Sequence, residues 1–314
     1  MRIFLAGASG ALGSRLAPML VATGHRVTGT TRTPAKAEAL RAAGVEPVVV
    51  DALDRDAIVA AVVAARPDAI VHQLTGLSNL NSLRDFDRAF EVTNRLRTEG
   101  TDNLLAGARA AGARRFVAQS YAGWPYTRSG GPVKTEDDPL DPEPVASMSR
   151  TLAAIRRLED TVTGTPEIDG IVLRYGGFYG PGTGMSAGGD QVEMLRKRRF
   201  PIIGDGDGVW SFVHIDDAAA ATVAALERGA PGIYNVVDDE PAPVRDWLPV
   251  LAAAAEAKPP RRLPRWLARL AAGEALTTMM TEIRGASNAK AKRELDWRPA
   301  HPSWRAGFAE ALAR

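Results

Sequence analysis

Three glycines near the start of the chain have the spacing of a phosphate-binding turn. Gly7, Gly10 and Gly13 follow the uncharged apolar run from Ile3 to Ala6 and lead into apolar residues at helical intervals. A turn without Cβ atoms lets main-chain N–H groups at a helix N-terminus approach a pyrophosphate, whose charge the helix dipole favours. The alternative is a tight turn that only packs on its neighbour. Because strand, turn and helix follow one another here, we favour a dinucleotide site.

Two residues that follow the next predicted strand indicate which dinucleotide binds. The strand runs from His25 to Thr30, and Thr31 and Arg32 come directly after it. A site for NAD usually carries Asp or Glu at this distance from the glycines, to hold the adenosine ribose hydroxyls. A hydroxyl and a guanidinium would instead bind a 2′-phosphate. Arg32 could also be a plain surface cation, but the missing acid leads us to predict NADP(H).

The elements that must position these residues alternate between strand and helix along the first half of the chain. Further apolar strand patterns occupy residues 45–50, 68–72, 115–118 and 170–174, and helical patterns occupy 83–112 and 147–160. Strands that alternate with helices predict an α/β fold with a doubly wound parallel sheet of the Rossmann type. The glycine-rich run from Gly204 to Gly208 predicts a hairpin turn.

Composition limits the classes of function. The chain has 314 residues, 45% of them hydrophobic, and a net charge of only +2, so we expect a soluble globular protein and no nucleic-acid partner. It contains no cysteine, which fits a reducing compartment, and its four histidines have no ligand spacing, so we predict no metal site. No signal peptide or membrane-spanning pattern is present, and we expect a cytoplasmic protein without a membrane partner.

Motifs along nearly the whole chain resemble one enzyme superfamily, the extended or atypical short-chain dehydrogenase/reductases, often called NAD-dependent epimerase/dehydratases. The segments that carry this resemblance are Gly7–Gly13, Asp51–Leu53, Val92–Ala111, Leu173–Tyr175, Tyr179–Gly182, Phe212–Ala218 and Leu295–Pro299. The resemblance implies an NADP(H)-binding Rossmann domain over residues 1–178, with a segment around 209–228 packing back on it. It also implies a smaller C-terminal substrate-binding lobe over 179–314, and we consider a homodimer.

The predicted cofactor site lies along the carboxyl ends of the strands, where ligands bind in such sheets. We place in it the residues of the glycine turn, of the ends of the following strands and of the helix after the fourth strand: Gly7, Ser9, Gly10, Ala11, Leu12, Gly13, Thr31, Arg32, Asp51, Ala52, Leu53, Gln73, Leu74, Thr75, Asn94, Tyr175, Gly177 and Phe178.

The sequence departs from the superfamily at its reactive pair. The superfamily uses Tyr-x-x-x-Lys, in which the phenol moves a proton while the ammonium holds the ribose, yet none of the five tyrosines here has lysine four positions later. Ser147 and Thr151 stand in the corresponding helix. Tyr121 stands just after the fifth strand, beside Ser120, where the superfamily usually carries a hydroxyl that contacts the substrate. We therefore consider these four residues as catalytic candidates, with Tyr121 either a proton donor or only part of an aromatic pocket wall.

These features predict an NADP(H)-dependent oxidoreductase that reduces a carbonyl or conjugated double bond of a small, fairly apolar molecule. One alternative is a nucleotide-sugar epimerase or dehydratase. Such enzymes typically place an arginine near the position that Trp210 and Ser211 occupy here, which counts against a sugar-nucleotide diphosphate. Another alternative is a protein that binds NADP(H) as a sensor or partner-binding module, because the reactive pair is missing.

We expect the protein to bind NADPH at least about tenfold more tightly than NADH, a difference of roughly 1.4 kcal/mol, because Arg32 would form a charge-assisted contact with the 2′-phosphate. Arg32→Ala should remove most of this preference. Calorimetric titration of both proteins with both cofactors measures it, and equal affinities of the parent protein for NADPH and NADH would contradict the assignment.

Overall fold

The computed structural model describes residues 1–77 and 84–313 of the protein. Its strands are β1 (Arg2–Ala6), β2 (Arg26–Thr31), β3 (Glu46–Val49), β4 (Ala69–His72), β5 (Arg115–Tyr121), β6 (Val133–Lys134), β7 (Asp169–Tyr175), β8 (Gly177–Tyr179), β9 (Ile202–Ile203), β10 (Val209–Trp210), β11 (Phe212–His214), β12 (Gly232–Val236), β13 (Ala242–Pro243), β14 (Arg262–Leu263) and β15 (Gly285–Ala286).

The helices in the same ranges are α1 (Ala11–Ala22), α2 (Ala37–Ala42), α3 (Arg55–Ala65), α4 (Phe86–Ala89), α5 (Glu91–Arg95), α6 (Thr101–Ala111), α7 (Ser149–Thr163), α8 (Asp190–Arg196), α9 (Ile215–Arg228), α10 (Val244–Ala254), α11 (Arg265–Ala272), α12 (Glu274–Thr281), α13 (Ala289–Glu294) and α14 (Trp304–Leu312). A π-helical turn, Leu96–Gly100, joins α5 to α6, and 3-10 turns occupy Pro34–Lys36 and Ala146–Met148. None of the helices in the described ranges is both long and apolar enough to cross a membrane.

A parallel sheet of seven strands forms the centre of the fold, in the order β12-β7-β5-β4-β1-β2-β3. The order reverses between β1 and β4, and this is the point where open α/β sheets bind dinucleotides across the carboxyl ends of their strands. Because every neighbouring pair in the sheet is parallel, all of these carboxyl ends face one edge. The α/β fold with a Rossmann-type parallel sheet is therefore confirmed.

Apolar side chains on both faces of the inner strands explain why helices cover the sheet on both sides. Along β1, Ile3 and Leu5 join one buried cluster with α1 and α9, and Phe4 and Ala6 join another with α3, α6 and α7. Successive side chains of a strand point to opposite faces of the sheet, so this uncharged run is buried on both faces. The third large cluster is built from residues from Tyr179 onward, around Trp247 and Trp304.

Three details differ from the sequence-based expectations. The single helix predicted over 83–112 is divided into α4, α5, the π-helical turn and α6, and Leu83 lies outside the described residues. The predicted hairpin at Gly204–Gly208 is wrong, because β9 pairs with β14 and β10 pairs with β13. Strand β12 joins the central sheet although it lies in the stretch assigned to the substrate lobe. The boundary at residue 178 stays a prediction.

A buried ion pair connects the sheet to α7. The side chains of Glu159 on α7 and Arg174 on β7 are each 4% exposed, and the Arg174 Nη2 atom lies 2.5 Å from Glu159 Oε2. Ser120 Oγ donates to the same carboxylate over 2.6 Å. Arg174 also donates to the Tyr126 hydroxyl, which in turn donates to Asn235. Because a buried charge is expensive without a partner, this network holds α7 in one position against β5 and β7.

Replacing Glu159 with glutamine should therefore destabilise the protein by about 3–5 kcal/mol, since it leaves the buried Arg174 guanidinium uncompensated. The matched control is Glu99→Gln, which removes an exposed ion pair with Arg95 and should have little effect. Urea denaturation of the three proteins gives their free energies of unfolding. A Glu159→Gln loss no larger than that of Glu99→Gln would refute the structural role of the buried pair.

Candidate cofactor and active site

The glycine turn between β1 and α1 brings the backbone close enough to leave no room for side chains. Gly7 has a φ of +93°, and a Cβ built on Gly13 would lie 2.1 Å from the Gly7 carbonyl oxygen. Gly7 N donates to Thr30 Oγ1 over 2.9 Å, and Gly10 N donates to Gly7 O over 3.0 Å. Gly10 is the N-cap of α1, so the first N–H groups of that helix, at Ala11 and Leu12, have no partner within it. This cradle fits a pyrophosphate.

Thr31 and Arg32, at the end of β2, differ in whether their side chains have hydrogen-bond partners. Thr31 is buried, and its hydroxyl accepts hydrogen bonds from Ser9 Oγ at 2.9 Å and from Thr33 N at 3.1 Å. Arg32 is exposed and has no ion pair or hydrogen bond with any described residue. Arg32 is therefore the available cation at the adenosine end of the site, and Thr31 holds the loop that presents it.

The loop after β3 supplies the next predicted contacts. Asp51 is exposed, and its Oδ1 accepts from Leu53 N over 3.0 Å, which fixes a local turn. Ala52 is buried, and its carbonyl accepts from Asn103 Nδ2 over 3.0 Å. These bonds place Asp51 and Leu53 at the carboxyl edge of the sheet, beside the end of β2.

The loop after β4 carries a buried amide that is only half satisfied. Gln73 Nε2 donates to the Tyr175 hydroxyl over 3.3 Å, but Gln73 Oε1 is buried without a partner. Burial raises the pKa of Tyr175, and its hydroxyl also bonds to Thr222 at 2.6 Å, so this phenol is part of the packing. Leu74 and Thr75 continue this loop, and Gly177 and Phe178 form part of β8 next to the end of β7.

The hydroxyl of Thr151 is fully engaged. It donates to Asp87 Oδ1 over 2.6 Å and accepts from Asn94 Nδ2 over 3.0 Å, and Thr151 is completely buried. Asp87 also accepts from the backbone N–H groups of Arg150 and Thr151. Because a hydroxyl has a single proton to donate, Thr151 has none for a substrate in this arrangement. Asn94 Oδ1 is buried and has no partner.

The other three catalytic candidates differ in their surroundings. Ser120 is buried, and its hydroxyl donates to Glu159 in the network below the site. Ser147 Oγ is buried without a hydrogen-bond partner. Tyr121 is partly buried at the end of β5, and its hydroxyl makes no hydrogen bond within the described part of the chain. Burial raises the pKa of the Tyr121 phenol to about 12, so it stays protonated at neutral pH.

An apolar wall lies against Tyr121. It contains aromatic, methionine and aliphatic side chains from α4, the loop after β5, the 3-10 turn before α7, α7, α12 and the segment just after α12: Phe86, Trp124, Met148, Leu152, Ile155, Ala275, Met279 and Ile283. Trp210 packs on the same cluster and donates its indole N–H to the Met279 carbonyl over 2.9 Å, while the neighbouring Ser211 is buried. Such a wall suits an apolar or aromatic molecule.

The site fits a nicotinamide dinucleotide on its own features. The cradle at Gly7–Gly13 leaves helix N–H groups open, Arg32 is free at one end, and the buried oxygens of Gln73 and Asn94 lack donors at the other. A bound dinucleotide would pair with the first two groups through its phosphates and with the buried oxygens through its hydroxyls or amide. Sequence patterns predicted these positions as cofactor contacts, and that role stays a prediction. The patterns gave no signal for Asp87 or Glu159, whose partners are distant in the chain.

One histidine cluster joins β11, α9 and the segment before α14. His214 and His301 stack with ring centroids 3.8 Å apart, and together with Asp217 they could approach a metal ion. Asp217 already accepts from Ala300 N, His301 N and the His301 ring. Its carboxylate thus holds the 300–301 segment on α9, and the absence of a metal stays a prediction.

Comparison with known proteins gives a consistent set of relatives. A model of the NAD dependent epimerase/dehydratase family matches residues 3–236. A 3-diazoavenalumate denitrifying reductase from a Streptomyces species is 46% identical over 310 residues, which cover 98% of this chain and 99% of that protein. A 2-alkyl-3-oxoalkanoate reductase from Stenotrophomonas maltophilia is 29% identical over 269 residues, which cover 81% of this chain and 76% of that protein.

Solved structures share the fold of this chain. The structure of a human epimerase family protein with NADPH superposes with a TM-score of 0.75 at 23% identity, and the match covers 99% of each chain. At this identity the match supports the fold alone, which is the α/β sheet described above.

The residue at the end of β4 makes stability depend on pH. His72 is 2% exposed, its Nε2 lies 3.2 Å from the Leu96 carbonyl, and burial lowers its pKa from 6.5 to about 4. Above its unfolded pKa the ring is neutral in both states and adds no pH dependence. Below that value only the unfolded chain takes up the proton, so the free energy of unfolding falls until the pH reaches the folded pKa.

From about pH 7 to about pH 5, His72→Gln should therefore lose roughly 2 kcal/mol less stability than the parent protein, because glutamine does not titrate and keeps a donor for Leu96. Urea denaturation of both proteins across this range tests the difference. Parallel stability curves for the two proteins would show that His72 does not titrate in this way.

Proposed function

The chain belongs to the NAD-dependent epimerase/dehydratase family, and we propose that within this family it is an NADP(H)-dependent reductase of a small, largely apolar molecule. Two reductases among its relatives, one of them 46% identical along nearly the whole chain, make it an oxidoreductase. The choice of NADP(H) rests on Arg32, an exposed cation without a partner in the described chain at the position where a 2′-phosphate is expected. The human neighbour with NADPH has the same fold.

The reaction that we propose is the reductive removal of nitrogen from a diazo-substituted substrate. The observation that carries this proposal is the state of the helix α7, where the superfamily has its proton-transferring pair. Here Thr151 is tied to Asp87 and Asn94, and the next turn presents Ile155, which is fully buried in the apolar wall. The helix therefore offers neither an acid nor an ammonium, and the 46% identical relative is named as a denitrifying reductase of a diazo compound.

Denitrification suits such a site because it needs no proton from the protein. When bound, NADPH supplies a hydride. In the diazonium form of the substrate a C–H bond forms at the carbon that carries nitrogen, the C–N bond breaks, and its electron pair leaves with N2. Charge and atoms balance without a general acid. The contribution of this chain is then to orient the substrate against the apolar wall and to exclude water, which competes with hydride for an electron-poor carbon.

The second candidate is reduction of a carbonyl or conjugated double bond, and one observation favours it. The Tyr121 hydroxyl is protonated and has no hydrogen-bond partner in the described structure, so it could donate to a developing oxyanion. Ser147, also without a partner, would then orient the substrate or a water molecule. A phenol with a pKa raised to about 12 is a weak acid, which makes this reaction the less suited of the two.

Tyr121→Phe separates the two reactions, because it deletes the hydroxyl and keeps the ring. We expect kcat for NADPH-dependent loss of N2 from benzenediazonium to stay within about threefold of the parent value, since no proton is needed. Reduction of an aryl ketone or enone should fall by about 10²-fold or more, as expected when a general acid is removed.

The measurements are N2 release and NADPH consumption, corrected for the reaction without enzyme. Ser147→Ala is the control variant. It should lower kcat for carbonyl reduction less than Tyr121→Phe does, because it removes only an orienting group. An equally large loss with the diazonium substrate would show that the phenol takes part in denitrification.

A further inference from the structure

Arg97 is a buried cation that the packing of the protein does not satisfy. The residue is only 7% exposed, and its Nη1 atom is buried without a hydrogen-bond partner. None of its N–H groups donates to a residue of the described chain. It lies on the π-helical turn Leu96–Gly100, a rare distortion that is frequent at functional sites. A guanidinium has five donors, so its isolation is costly unless a ligand completes the site.

The position of Arg97 places it in the reactive half of the cleft. The carbonyl of the preceding residue, Leu96, bonds to His72 at the end of β4. Electrostatic contacts connect Arg97 with His72 and with Glu159, whose carboxylate reaches Ser120 near the end of β5. Arg97 therefore lies between the carboxyl ends of β4 and β5 and the helix α7.

The charges around Arg97 do not cancel. Glu159 is already paired with Arg174 through two hydrogen bonds, at 2.8 and 2.5 Å. His72 is neutral at physiological pH because burial lowers its pKa to about 4. Burial also lowers the pKa of Arg97, to about 10, which leaves it charged at neutral pH. One positive charge in this buried group thus lacks a counter-ion among the described residues.

The anionic groups of the cofactor are expected elsewhere. The pyrophosphate belongs at the turn before α1, and a 2′-phosphate belongs at Arg32 after β2. Helix α1 packs on the face of the sheet that carries Ile3 and Leu5, whereas Arg97 lies near α7, on the opposite face. The substrate is therefore the molecule that can bring an anion to Arg97.

We propose that Arg97 binds an anionic oxygen group of the substrate, a carboxylate or a phenolate, and so selects acidic aromatic molecules. This inference rests on the proposed function, in that it assigns the substrate class for the same cleft. The planar fork of the guanidinium matches a carboxylate in a bidentate pair. The apolar wall then holds the ring of a substrate whose anionic group pairs with Arg97.

The experiment measures binding rather than turnover. Benzoate, phenylacetate and cinnamate, each with its methyl ester, are titrated calorimetrically into the NADP-loaded protein. At least one acid should bind the parent protein about tenfold or more tightly than its ester, and Arg97→Met should reduce that ratio to about twofold or less, because the ester keeps the shape and loses the charge.

The variants include two controls. Arg95→Met removes an exposed, ion-paired arginine from the adjoining turn and should leave the ratio of acid to ester binding unchanged. Arg97→Lys keeps the charge without the fork and should retain part of the preference for acids. In the absence of ligand, Arg97→Met should melt at the parental temperature or higher, since it removes an uncompensated buried charge.

Several results would overturn the proposal. These are the absence of any preference for acids in the parent protein, the same preference in Arg97→Met, or a loss of NADPH affinity in that variant, which would assign Arg97 to the cofactor. If Arg97→Met does not fold, the arginine has a structural role that the proposal denies, and Arg97→Lys then decides whether the charge also binds acids. None of these ligands contains a diazo group, so the binding experiment does not depend on denitrification. Preferential binding of acids can be observed even if the protein does not reduce diazo compounds, and diazo reduction can be observed even if acids are not preferred.

Discussion

The hydrogen bonds that Asp87 accepts from the start of α7 limit the chemistry that is possible at the candidate active site. Its two carboxylate oxygens accept from the N–H groups of Arg150 and Thr151 and from the Thr151 hydroxyl, and Asp87 is 4% exposed. A carboxylate at a helix N-terminus pairs with unsatisfied donors and with the helix dipole. The bond from the Thr151 hydroxyl to Asp87 also uses the one proton that this hydroxyl can donate. The interaction that fixes α7 in the cleft therefore also removes its hydroxyl from chemistry.

The rest of the cleft is consistent with this constraint. Glu159, two turns along α7, is paired with Arg174 and accepts a hydrogen bond from the Ser120 hydroxyl. Hydroxyl groups therefore help to hold α7 in place at two points, at Thr151 and at Glu159. Between them Leu152 and Ile155 face the aromatic and methionine side chains of the wall. A helix built in this way can shape an apolar pocket and cannot readily move a proton. A reduction in which nitrogen leaves with its own electron pair is compatible with that limit.

The sequence predicted the parts of the structure that depend on local patterns. The uncharged run Ile3–Ala6 and the spacing of Gly7, Gly10 and Gly13 were enough for β1, the turn and α1, because burial and close approach constrain each of those residues. The carboxyl edge of the sheet followed from the order of the elements. The number of strands in the sheet did not, because β12 arrives from the stretch after Arg228, where no pattern indicated a return.

Contacts between distant residues account for what the sequence could not supply. Ser120 and Thr151 were reasonable candidates by position, and only the structure brings Glu159 and Asp87 to their hydroxyls from 39 and 64 residues away. The π-helical turn Leu96–Gly100 interrupts a stretch whose sequence pattern predicts one continuous helix. That distortion accompanies a buried arginine at Arg97, which would otherwise pass for one of many surface cations.

Deuterium transfer is the most direct measurement of the central claim, that this protein uses NADPH to replace a diazo group with hydrogen. The protein is incubated with 4-carboxybenzenediazonium, which carries an acidic group for Arg97, and with NADPH that carries deuterium at the transferable position of the nicotinamide, and the products are analysed by mass spectrometry. The account predicts benzoate with one deuterium at the carbon that lost nitrogen, together with equal amounts of N2 and oxidised cofactor. Release of N2 without deuterium at that carbon, or no reaction above the rate without enzyme, would contradict it.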